Sequence, residues 1–447
     1  MHIGVGSFHK AHQAVYTDDI LSIEPSWGII GASLKSTRAA DQLNPQSGLY
    51  TLTTVSSGTA QHRLIGAIQH VISAGDAGGR DALAEAIADP QIHIITVTAT
   101  EKGYCARDGQ LDRDDPDVAA DLTDPSPRRS LPGVLTSSLA RRAAGSAAPI
   151  TVISCDNLQH NGKVLEQVVT EFFEARYPAH QEWLTSQVTF PCTMVDRIVP
   201  QVTAGDLARI TDDLGYRDEG AVVSEPFSQW VIEDRFAGPR PPWDQAGATF
   251  ADDVSTYETA KLRLLNGPHS ACAYLGILSG YDAVHEVVAD PELRTFLEAL
   301  VEHEIMPTVT PPPGTDLSSY ARSIFERFAN HDIVYRTRQV GADGTQKLPQ
   351  RLIPVVQARL DARQPVDRLA LVIAAWIEHL RDPAPDPAAE RLQGLHQQHG
   401  NEPELVCAVA AETGVFDALG DDARFERAVA HALQRIRTEG LPRALSF

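Results

Sequence analysis

Up to about residue 253 the chain alternates short, β-branched apolar runs with segments of helical periodicity. The strand-like runs are residues 2–5, 27–34, 92–98 and 150–154. The helix-like segments are residues 12–23, 80–88 and 162–176. Such alternation is typical of a parallel sheet with helices on its faces. Residues 1–253 are therefore predicted to form an α/β domain with a doubly wound parallel sheet.

The hydrophobic pattern changes beyond Thr256. Ala, Leu, Glu and Arg then recur at helical spacing. The clearest segments are residues 293–303, 317–328, 366–381 and 423–438. Proline-rich breaks such as residues 311–313 separate them, because proline lacks an N–H donor and disfavours helix at the preceding residue. Residues 254–447 are therefore predicted to form a second, all-helical domain.

Composition places the chain among globular proteins with more than one domain. It has 447 residues, of which 43% are hydrophobic, enough to bury two cores. Its 38 basic and 59 acidic residues give a formal charge of −21, which disfavours nucleic-acid and anionic-membrane partners. No apolar run approaches the roughly 18 residues of a membrane span, and the first residues do not resemble a signal peptide. A cytoplasmic location is predicted.

Cysteine and histidine usage argues against disulfides and metal centres. The five cysteines are scattered, form no C-x-x-C pair and are odd in number. Two histidine pairs, His9 with His12 and His396 with His399, are each three residues apart. Neither pair has a cysteine or carboxylate at ligand spacing. No metal site is predicted.

The first strand runs into a glycine turn of a kind that binds dinucleotides. The sequence GVGSF at residues 4–8 follows a strand and precedes a predicted helix. In this arrangement backbone N–H groups at the helix start can hold a pyrophosphate. The alternative is an ordinary tight turn, but its place at the head of a βαβ series favours the cofactor. The predicted cofactor-binding residues of this segment are Gly4, Gly6, Ser7, Phe8, His9 and Lys10.

The same turn comes very early in the chain. Only three residues precede Gly4, whereas a strand normally has about five or six. We predict that the natural reading frame extends upstream, and a mature N-terminus mapped to Met1 by mass spectrometry would contradict this.

The segment after the second strand bears on the choice between NAD and NADP. An acidic residue there usually binds the ribose 2′-hydroxyl of NAD, whereas an arginine accommodates the 2′-phosphate of NADP. Here the segment contains Lys35 and Arg38, and its first carboxylate is Asp41. Both cations are added to the predicted cofactor-binding residues, and use of NADP is compatible with them. The alternative is that they are solvated loop cations.

Residues 261–270 contain the densest group of candidate catalytic side chains. In an uninterrupted helix, with about 100° per residue, Lys261 and His269 lie roughly 80° apart. Asn266 comes three residues before His269, so all three could border one site. Pro268 is expected to kink this helix or to start a new one. The alternative is a surface lysine followed by an Asn-Gly-Pro turn.

Three further segments combine polar residues with apolar neighbours. Residues 154–157, which end in Asn157, follow a predicted parallel strand, and ligands of open α/β sheets bind at that end. Residues 194–197, which include Asp196 and Arg197, are the second segment. Residues 225–227, which lead into residues 229–234, are the third. Each could equally be structural, because neighbouring Asp and Arg residues often form ordinary ion pairs.

In order, these segments resemble the motifs of the mannitol dehydrogenase family of long-chain polyol dehydrogenases. The matching segments are residues 4–14, 154–157, 194–197, 225–227 and 261–269. Five ordered motifs over nearly the whole chain are far more specific than a glycine turn alone. The resemblance implies an N-terminal Rossmann-like domain, a C-terminal helical domain and an active site in the cleft between them.

The resemblance also implies chemistry and residue roles. It implies zinc-independent hydride transfer between a nicotinamide cofactor and a secondary alcohol of an open-chain sugar derivative. Lys261 would be the general base in alcohol oxidation and the general acid in ketone reduction. Asn157 and Asn266 would donate hydrogen bonds to the developing alkoxide, and His269 would orient the substrate oxygen. These roles are chemically coherent, because partial desolvation can lower the pKa of a lysine toward the working pH.

Two branches of the family are compatible with the sequence. The mannitol 2-dehydrogenase branch often has an acid at the position of Arg38, so its NAD preference does not transfer directly. That branch also tends to have an arginine at the position of Gln339. Residues 101–105 and 339–351 are similar to the fructuronate reductase branch, which interconverts mannonate and fructuronate. A sugar acid requires a cation near its carboxylate. The candidate cations are Arg336, Arg338, Lys347 and Arg351.

The sequence therefore predicts an enzyme that uses NAD, or NADP, and acts on D-mannitol and D-fructose, with D-mannonate and D-fructuronate as a nearly equal alternative. The predicted substrate-binding residues are Asp196, Arg197, Gln339 and Lys347. A non-catalytic, dinucleotide-binding redox sensor is an alternative of another class. Such a sensor has no need for Lys261 beside two asparagines. A metal-dependent alcohol dehydrogenase is disfavoured because no ligand cluster is predicted.

Overall fold

The computed structural model describes residues 1–107, 109–124 and 129–446. The chain divides into two compact units, Met1–Ser255 and Thr256–Phe447. The predicted division lies between residues 253 and 254.

All strands of the described residues lie in the first unit. In chain order they are β1 (His2–Ile3), β2 (Ile29–Ser33), β3 (Tyr50–Ser56), β4 (Thr59–Ile65), β5 (Ile68–Ser73), β6 (Ile94–Val97), β7 (Ala106–Arg107), β8 (Gln110–Leu111), β9 (Ile150–Ser154), β10 (Val188–Thr189), β11 (Thr193–Asp196), β12 (Val222–Ser224), β13 (Gln229–Glu233) and β14 (Thr249–Ala251).

The principal sheet has six strands in the order β10-β9-β6-β1-β2-β5. All of its pairs are parallel; His2 of β1, for example, lies opposite Gly31 of β2 and Thr96 of β6. Strands β6 and β9 are buried at every residue, as expected of strands covered on both faces. The chain winds outward from β1 in both directions, which confirms the predicted doubly wound sheet and puts the topological switch point at β1.

Smaller sheets supplement the principal one. Their orders are β11-β13-β14, β12-β3-β4 and β7-β8. Strands β3 and β4 form an antiparallel hairpin whose connecting residues, Ser57 and Gly58, both have positive φ. Such a two-residue turn matches the twist of a hairpin. The sequence analysis did not predict these sheets.

Helices cover the principal sheet. The α-helices of the first unit are Ser7–Ala11, Gln13–Ile20, Arg38–Leu43, Ala77–Ala88, Pro116–Thr123, Leu131–Ala144, Asn161–Arg176, Gln181–Gln187 and Ala204–Leu214. Short 3₁₀ turns are Asn44–Gln46, Glu101–Tyr104, Pro178–His180 and Trp243–Ala246. Leu139 and Phe173 belong to one buried cluster with the sheet residues Ile95 and Val152. Other apolar clusters contain Val15 and Tyr16 of helix Gln13–Ile20.

The second unit contains no strand in its described part, in agreement with the predicted helical domain. Its α-helices are Ser255–Lys261, which begins at the boundary, Gly267–Ser279, Val284–Ala289, Pro291–Leu300, Leu317–Phe328, Thr337–Val340, Gly344–Arg351, Ile353–Asp361, Asp367–His379, Ala389–Gln398, Glu402–Thr413, Ala423–Glu439 and Leu441–Ala444. Wide π turns are Leu262–Asn266 and Val301–Ile305, and 3₁₀ turns are Met306–Thr308 and Asp417–Asp421.

One helix lies at the centre of the second unit. Asp367–His379 is buried at most of its positions, and Leu371 and Trp376 belong to its large apolar cluster. Such all-round burial is typical of a core helix. Among the helices of the described ranges, none is long and apolar enough to cross a membrane.

Candidate active site

The glycine turn at the end of β1 has a conformation that requires glycine. Gly4 has φ of +100°, and a Cβ there would overlap the carbonyl oxygen of Thr98. The Gly4 N–H donates to the Ala32 oxygen at 2.8 Å, and the Gly4 oxygen accepts from Thr98 Oγ1 at 2.6 Å. Gly6 then caps helix Ser7–Ala11 without a side chain. The turn is therefore fixed against β2 and the end of β6, close to the switch point.

Two cavities lie beside this turn. The first cavity, of about 450 Å³, is lined by residues at the carboxyl ends of β1, β2 and β6, including Gly4, Gly6, Lys35 and Thr98. Ligands of open α/β sheets bind at that end. A Cβ on Gly6 would meet nothing nearer than the Gly4 oxygen at 3.8 Å, so the absent side chain leaves room for a ligand to approach the backbone.

The second cavity, of about 260 Å³, is lined by residues that follow the turn and residues that follow β2. Gly6, Ser7, Lys10, Ser36 and Arg38 are among them. Of the predicted cofactor-binding residues, Phe8 and His9 line neither cavity.

Phe8 and His9 each stack on another ring of the first unit, with Phe8 half-buried and His9 buried. The ring of Phe8 stacks on that of His12 with centroids 5.0 Å apart. His9 is fully buried, and its ring stacks on that of His2 with centroids 3.4 Å apart and planes at 8°. These side chains support the turn, and their backbone belongs to the first turn of helix Ser7–Ala11.

Lys10 is a buried cation in the wall of the second cavity. Its Nζ donates to the Gly220 oxygen at 2.8 Å. Burial lowers the pKa of Lys10 to about 8, although the nearby carboxylate of Asp218 acts in the opposite direction.

The residues after β2 give this region a cationic character. Lys35 is exposed and lies 3.9 Å from Asp117, and the backbone N–H of Arg38 donates to Ser36 Oγ at 3.1 Å. Asp41 accepts a hydrogen bond from Thr37 Oγ1 at 2.7 Å. Asp41, the first carboxylate after β2, thus binds the residue at the start of its own helix.

Asn157 lies in the loop that leaves β9, one strand away from β6. The buried Asn161 holds this loop. Its side-chain amide donates to the backbone oxygens of Asp156 at 3.2 Å and of Thr193 at 3.0 Å. The Thr193 hydroxyl donates to the Ser154 oxygen at 2.6 Å. The loop that carries Asn157 is therefore rigidly attached to the end of the sheet.

Asp196 and Arg197 lie at the end of β11 and are both buried. The guanidinium of Arg197 donates to the backbone oxygens of Ala11 at 2.6 Å and Glu225 at 3.0 Å. Burial lowers its pKa, although Glu225 opposes the shift. Within the first unit Arg197 therefore joins helix Ser7–Ala11 to the motif at residues 225–227.

Lys261, Asn266 and His269 lie on one helical path that contains a wide turn. Lys261 ends helix Ser255–Lys261, residues Leu262–Asn266 form a π turn, and helix Gly267–Ser279 follows directly. The N–H of Gly267 donates to the oxygen of Leu262, five residues earlier. Because Pro268 has no N–H, a regular helix would leave a carbonyl unpaired here. The expected kink or new start is thus a π turn, a feature that is frequent at functional sites.

Aromatic rings orient His269. Lys261, on the same helical path, is buried, with 8% of its surface exposed. The imidazole stacks on Phe328, with centroids 5.0 Å apart, and meets the edge of Tyr335 at 5.4 Å. Next to it, the Ser270 hydroxyl accepts from Arg351 Nη1 at 3.1 Å. A guanidinium thus lies beside the helix that carries His269.

The other candidate residues for binding the substrate lie on neighbouring helices of the second unit. Gln339 is exposed on helix Thr337–Val340, and Lys347 Nζ donates to the Val340 oxygen at 3.2 Å. Arg338 pairs with Asp382 at 3.0 Å, and Arg336 is exposed.

Residues whose contacts the sequence did not predict hold the candidate site in shape, although Tyr104 lies in the segment 101–105 that resembles the fructuronate reductase branch. These residues are Thr98, Tyr104, Asn161, Thr193, Phe328 and Tyr335. They act through contacts between distant segments, for which spacing along the chain carries no signal. A search of the described ranges finds no group of three or more His, Cys, Asp or Glu residues that could hold a metal ion.

Family models match both halves of the chain. The Rossmann domain of mannitol dehydrogenase matches residues 1–245, and the C-terminal domain of mannitol dehydrogenase matches residues 253–437. The chain is 38% identical to D-mannonate oxidoreductase of Escherichia coli K12, over 98% of its own length and 93% of that protein. It is 35% identical to mannitol 2-dehydrogenase of Phaeosphaeria nodorum, over 98% of its own length and 79% of that protein.

The fold is similar to that of a solved relative. The ternary complex of Pseudomonas fluorescens mannitol 2-dehydrogenase with NAD and D-mannitol matches with a TM-score of 0.87 and 35% identity. The match covers 99% of this chain and 92% of that one.

Proposed function

This chain belongs to the mannitol dehydrogenase family, and we propose that it reversibly oxidises a secondary alcohol of an open-chain polyol or sugar acid to a ketone, with NAD as its cofactor. The observation that carries the proposal is the helical path that holds Lys261, Asn266 and His269 around a π turn. These are the residues of the family motif, and the wide turn removes the obstacle that Pro268 presents to a regular helix. A catalytic role for Lys261 favours an enzyme over a redox sensor, because a sensor has no need for this lysine.

The glycine turn and its two cavities would hold the cofactor. Gly4 and Gly6 would allow a pyrophosphate to approach the backbone, and the residues after β2 would hold the adenosine ribose. When bound, the nicotinamide accepts a hydride in alcohol oxidation and supplies one in ketone reduction. Arg38 provides a cation for a 2′-phosphate, so the proposal includes measurable activity with NADP.

The side chains of this protein move the proton and stabilise the oxygen. Lys261 takes the hydroxyl proton in oxidation and returns it in reduction. The amides of Asn157 and Asn266 donate to the alkoxide, where charge develops. His269, held between Phe328 and Tyr335, orients the same oxygen. The proposal requires that these groups meet around one substrate oxygen.

We favour D-mannonate and D-fructuronate as the substrate pair. Arg351 lies 3.1 Å from the Ser270 hydroxyl, one residue beyond His269, and a guanidinium is the natural partner of a carboxylate. The higher identity to D-mannonate oxidoreductase, 38% against 35%, points the same way. D-Mannitol and D-fructose form the second candidate pair, supported by the match to the solved complex with NAD and D-mannitol.

A panel of substrates and cofactors tests the proposal. D-Mannonate, D-mannitol, D-arabinitol and D-sorbitol are assayed with NAD and with NADP, and D-fructuronate and D-fructose with the reduced cofactors, by absorbance of the reduced nicotinamide. Turnover is expected to be highest with mannonate and fructuronate and to persist after chelation of metals. Absence of turnover on every substrate, in a protein that binds NADH, would contradict the proposal. Mannitol as the best substrate would select the second pair.

A further inference from the structure

We propose that Tyr104 is a positioning residue for Asn157. The inference rests on the proposed function, which assigns to Asn157 a hydrogen bond to the alkoxide, and it names a side chain that sets the direction of that bond. It is carried by a buried hydrogen-bonded cluster of Tyr104, Ser154 and Asp156, where the chain leaves β6 and β9.

Tyr104 turns away from the cofactor cavity. It ends the short helix Glu101–Tyr104, which follows β6, and its side chain is fully buried. Its sequence neighbours Gly103 and Cys105 line the first cavity, whereas Tyr104 does not. The phenol reaches the end of β9 instead, where its hydroxyl donates to the Asp156 carboxylate and lies 2.7 Å from Ser154 Oγ.

The Asp156 carboxylate links the residues on both sides of Asn157. One oxygen accepts from Tyr104 and from Ser154 Oγ, the latter at 2.9 Å, and the other accepts the N–H of Leu158 at 3.0 Å. A single carboxylate thus spans Asn157 and ties its flanking residues to Tyr104. Because the tyrosine comes from the neighbouring strand's loop, it also sets the separation of the two loops.

A second set of bonds holds only the backbone of the same loop. Asn161 binds the oxygen of Asp156, and Thr193 binds the oxygen of Ser154. These contacts fix where the loop leaves the sheet. They do not reach the Asp156 side chain, whereas the Tyr104 hydroxyl binds that carboxylate from a separate loop, 52 residues away in sequence.

The protonation state of Tyr104 suits this role. Burial raises its pKa well above the ordinary value, and the nearby Asp156 carboxylate adds to the shift. The phenol therefore remains a donor across the neutral range. Phenylalanine fills nearly the same volume but removes one donor from a charged acceptor, and hydrogen bonds to charged groups are the stronger ones.

A double-mutant cycle between Tyr104→Phe and Asn157→Ala tests the coupling. Tyr104→Phe is expected to lower kcat about tenfold, with the Kd for NADH changed less than about twofold. In the Asn157→Ala background the same substitution is expected to change kcat less than about twofold, because no amide remains to be misplaced. Tenfold losses in both backgrounds would overturn the proposal.

A matched control removes another buried tyrosine hydroxyl. Tyr274 lies in the second unit, is fully buried and donates to the Gly341 oxygen at 3.4 Å. Tyr274→Phe is expected to leave kcat and the Kd for NADH unchanged. A loss equal to that of Tyr104→Phe would show a general effect of losing a buried hydroxyl and would overturn the proposal.

A crystal structure of Tyr104→Phe tests the positioning without turnover. The Asn157 side chain is expected to move by about 1 Å, a displacement large enough to affect catalysis, or to adopt more than one conformer. An Asn157 that superposes on the wild-type position in one conformer would overturn the inference. If the wild-type protein turned over no polyol or sugar acid, the proposed function would fail, and the position of Asn157 in this variant would still decide whether Tyr104 holds it.

Discussion

Gly4 and Thr98 approach each other so closely that the turn after β1 excludes any other residue at position 4. The Gly4 oxygen accepts a hydrogen bond from Thr98 Oγ1 at 2.6 Å, and a Cβ on Gly4 would overlap the Thr98 carbonyl oxygen. This contact joins the first loop of the sheet to the end of β6. The shape of the predicted cofactor site therefore depends on it.

Gly4→Ala is expected to damage both stability and cofactor binding. Alanine at φ of +100° is strained by about 1–3 kcal/mol, and the overlap with Thr98 adds to this. We expect the free energy of unfolding to fall by about 3 kcal/mol or more and the affinity for NADH to fall at least tenfold. Urea denaturation and fluorescence titration with NADH measure the two effects.

Gly215→Ala is the matched control for Gly4→Ala. Gly215 also has positive φ, at 75°, but a Cβ there meets no atom within 4 Å. This variant is expected to lose about 1 kcal/mol and to bind NADH normally. Equal loss of NADH affinity in both variants would contradict the assigned role of the Gly4 turn.

Arg38 is expected to set the activity with NADP. It lines the second cavity with Ser36, and a guanidinium pairs well with a 2′-phosphate. Arg38→Ala should lower kcat/KM for NADP about tenfold while changing that for NAD less than about twofold. Arg141→Ala, which removes an exposed arginine paired with Glu85 at 3.0 Å, should change neither. Equal loss with both cofactors would contradict a contact to the 2′-phosphate.

The stacked pair His2 and His9 is expected to make the fold sensitive to acid. Burial lowers the pKa of His2 to about 3 and that of His9 well below its usual value. Both stay neutral in the folded state, while the unfolded chain takes up protons below about pH 6.5. Stability is therefore greatest above about pH 6.5 and falls as the pH drops below that value, because protonation of these histidines favours the unfolded chain.

His9→Phe keeps a stacked ring and removes one of these protonation sites. Urea denaturation at about pH 7.5 and about pH 5.5 should show a smaller loss of stability in this variant than in wild type. His431→Phe, at an exposed position, should retain the wild-type pH dependence. If His9→Phe also retained it, the buried histidine would not be its source.

Arg351 is expected to distinguish sugar acids from polyols. Arg351→Gln keeps a donor for Ser270 but loses the positive charge. The KM for D-mannonate should rise about tenfold or more, because a hydrogen bond between charged groups is lost, while the KM for D-mannitol should change less than about twofold. Arg338→Gln, at an arginine paired with Asp382, is the control. Equal changes for both substrates would place Arg351 away from the carboxylate.

Much of the fold could be predicted from the sequence, since long apolar runs dominate it. Strand β9 and helix Leu317–Phe328 have the predicted bounds. Strand β1 ends two residues earlier than predicted, because Gly4 adopts positive φ. The hairpin of β3 and β4 was missed, although the Ser57-Gly58 pair was an available turn signal.

The motifs of the candidate site could be identified from the sequence, whereas the contacts that hold those motifs in place could not. Lys261, Asn266 and His269 were identified from their spacing and from the family motif. Pro268 was expected to kink the helix or to start a new one, and the structure has a π turn at Leu262–Asn266 instead. Tyr104 lies in the segment 101–105 noted for its family resemblance, but its contact with Asp156, 52 residues away in sequence, was not predicted. Asn161 was not identified, and its bond to Thr193 joins segments 32 residues apart. Phe8 and His9 were predicted to bind the cofactor, but they line neither cavity, and their rings stack on those of His12 and His2.

Lys261→Ala tests the central claim, that Lys261 transfers the substrate proton, most directly. General acid–base catalysis contributes about 100- to 10,000-fold, so kcat with the best substrate should fall by that factor while the Kd for NADH changes less than about twofold. Lys163→Ala, at an exposed lysine of the first unit, should retain full turnover. A Lys261→Ala protein with kcat within about threefold of wild type would contradict the proposed mechanism.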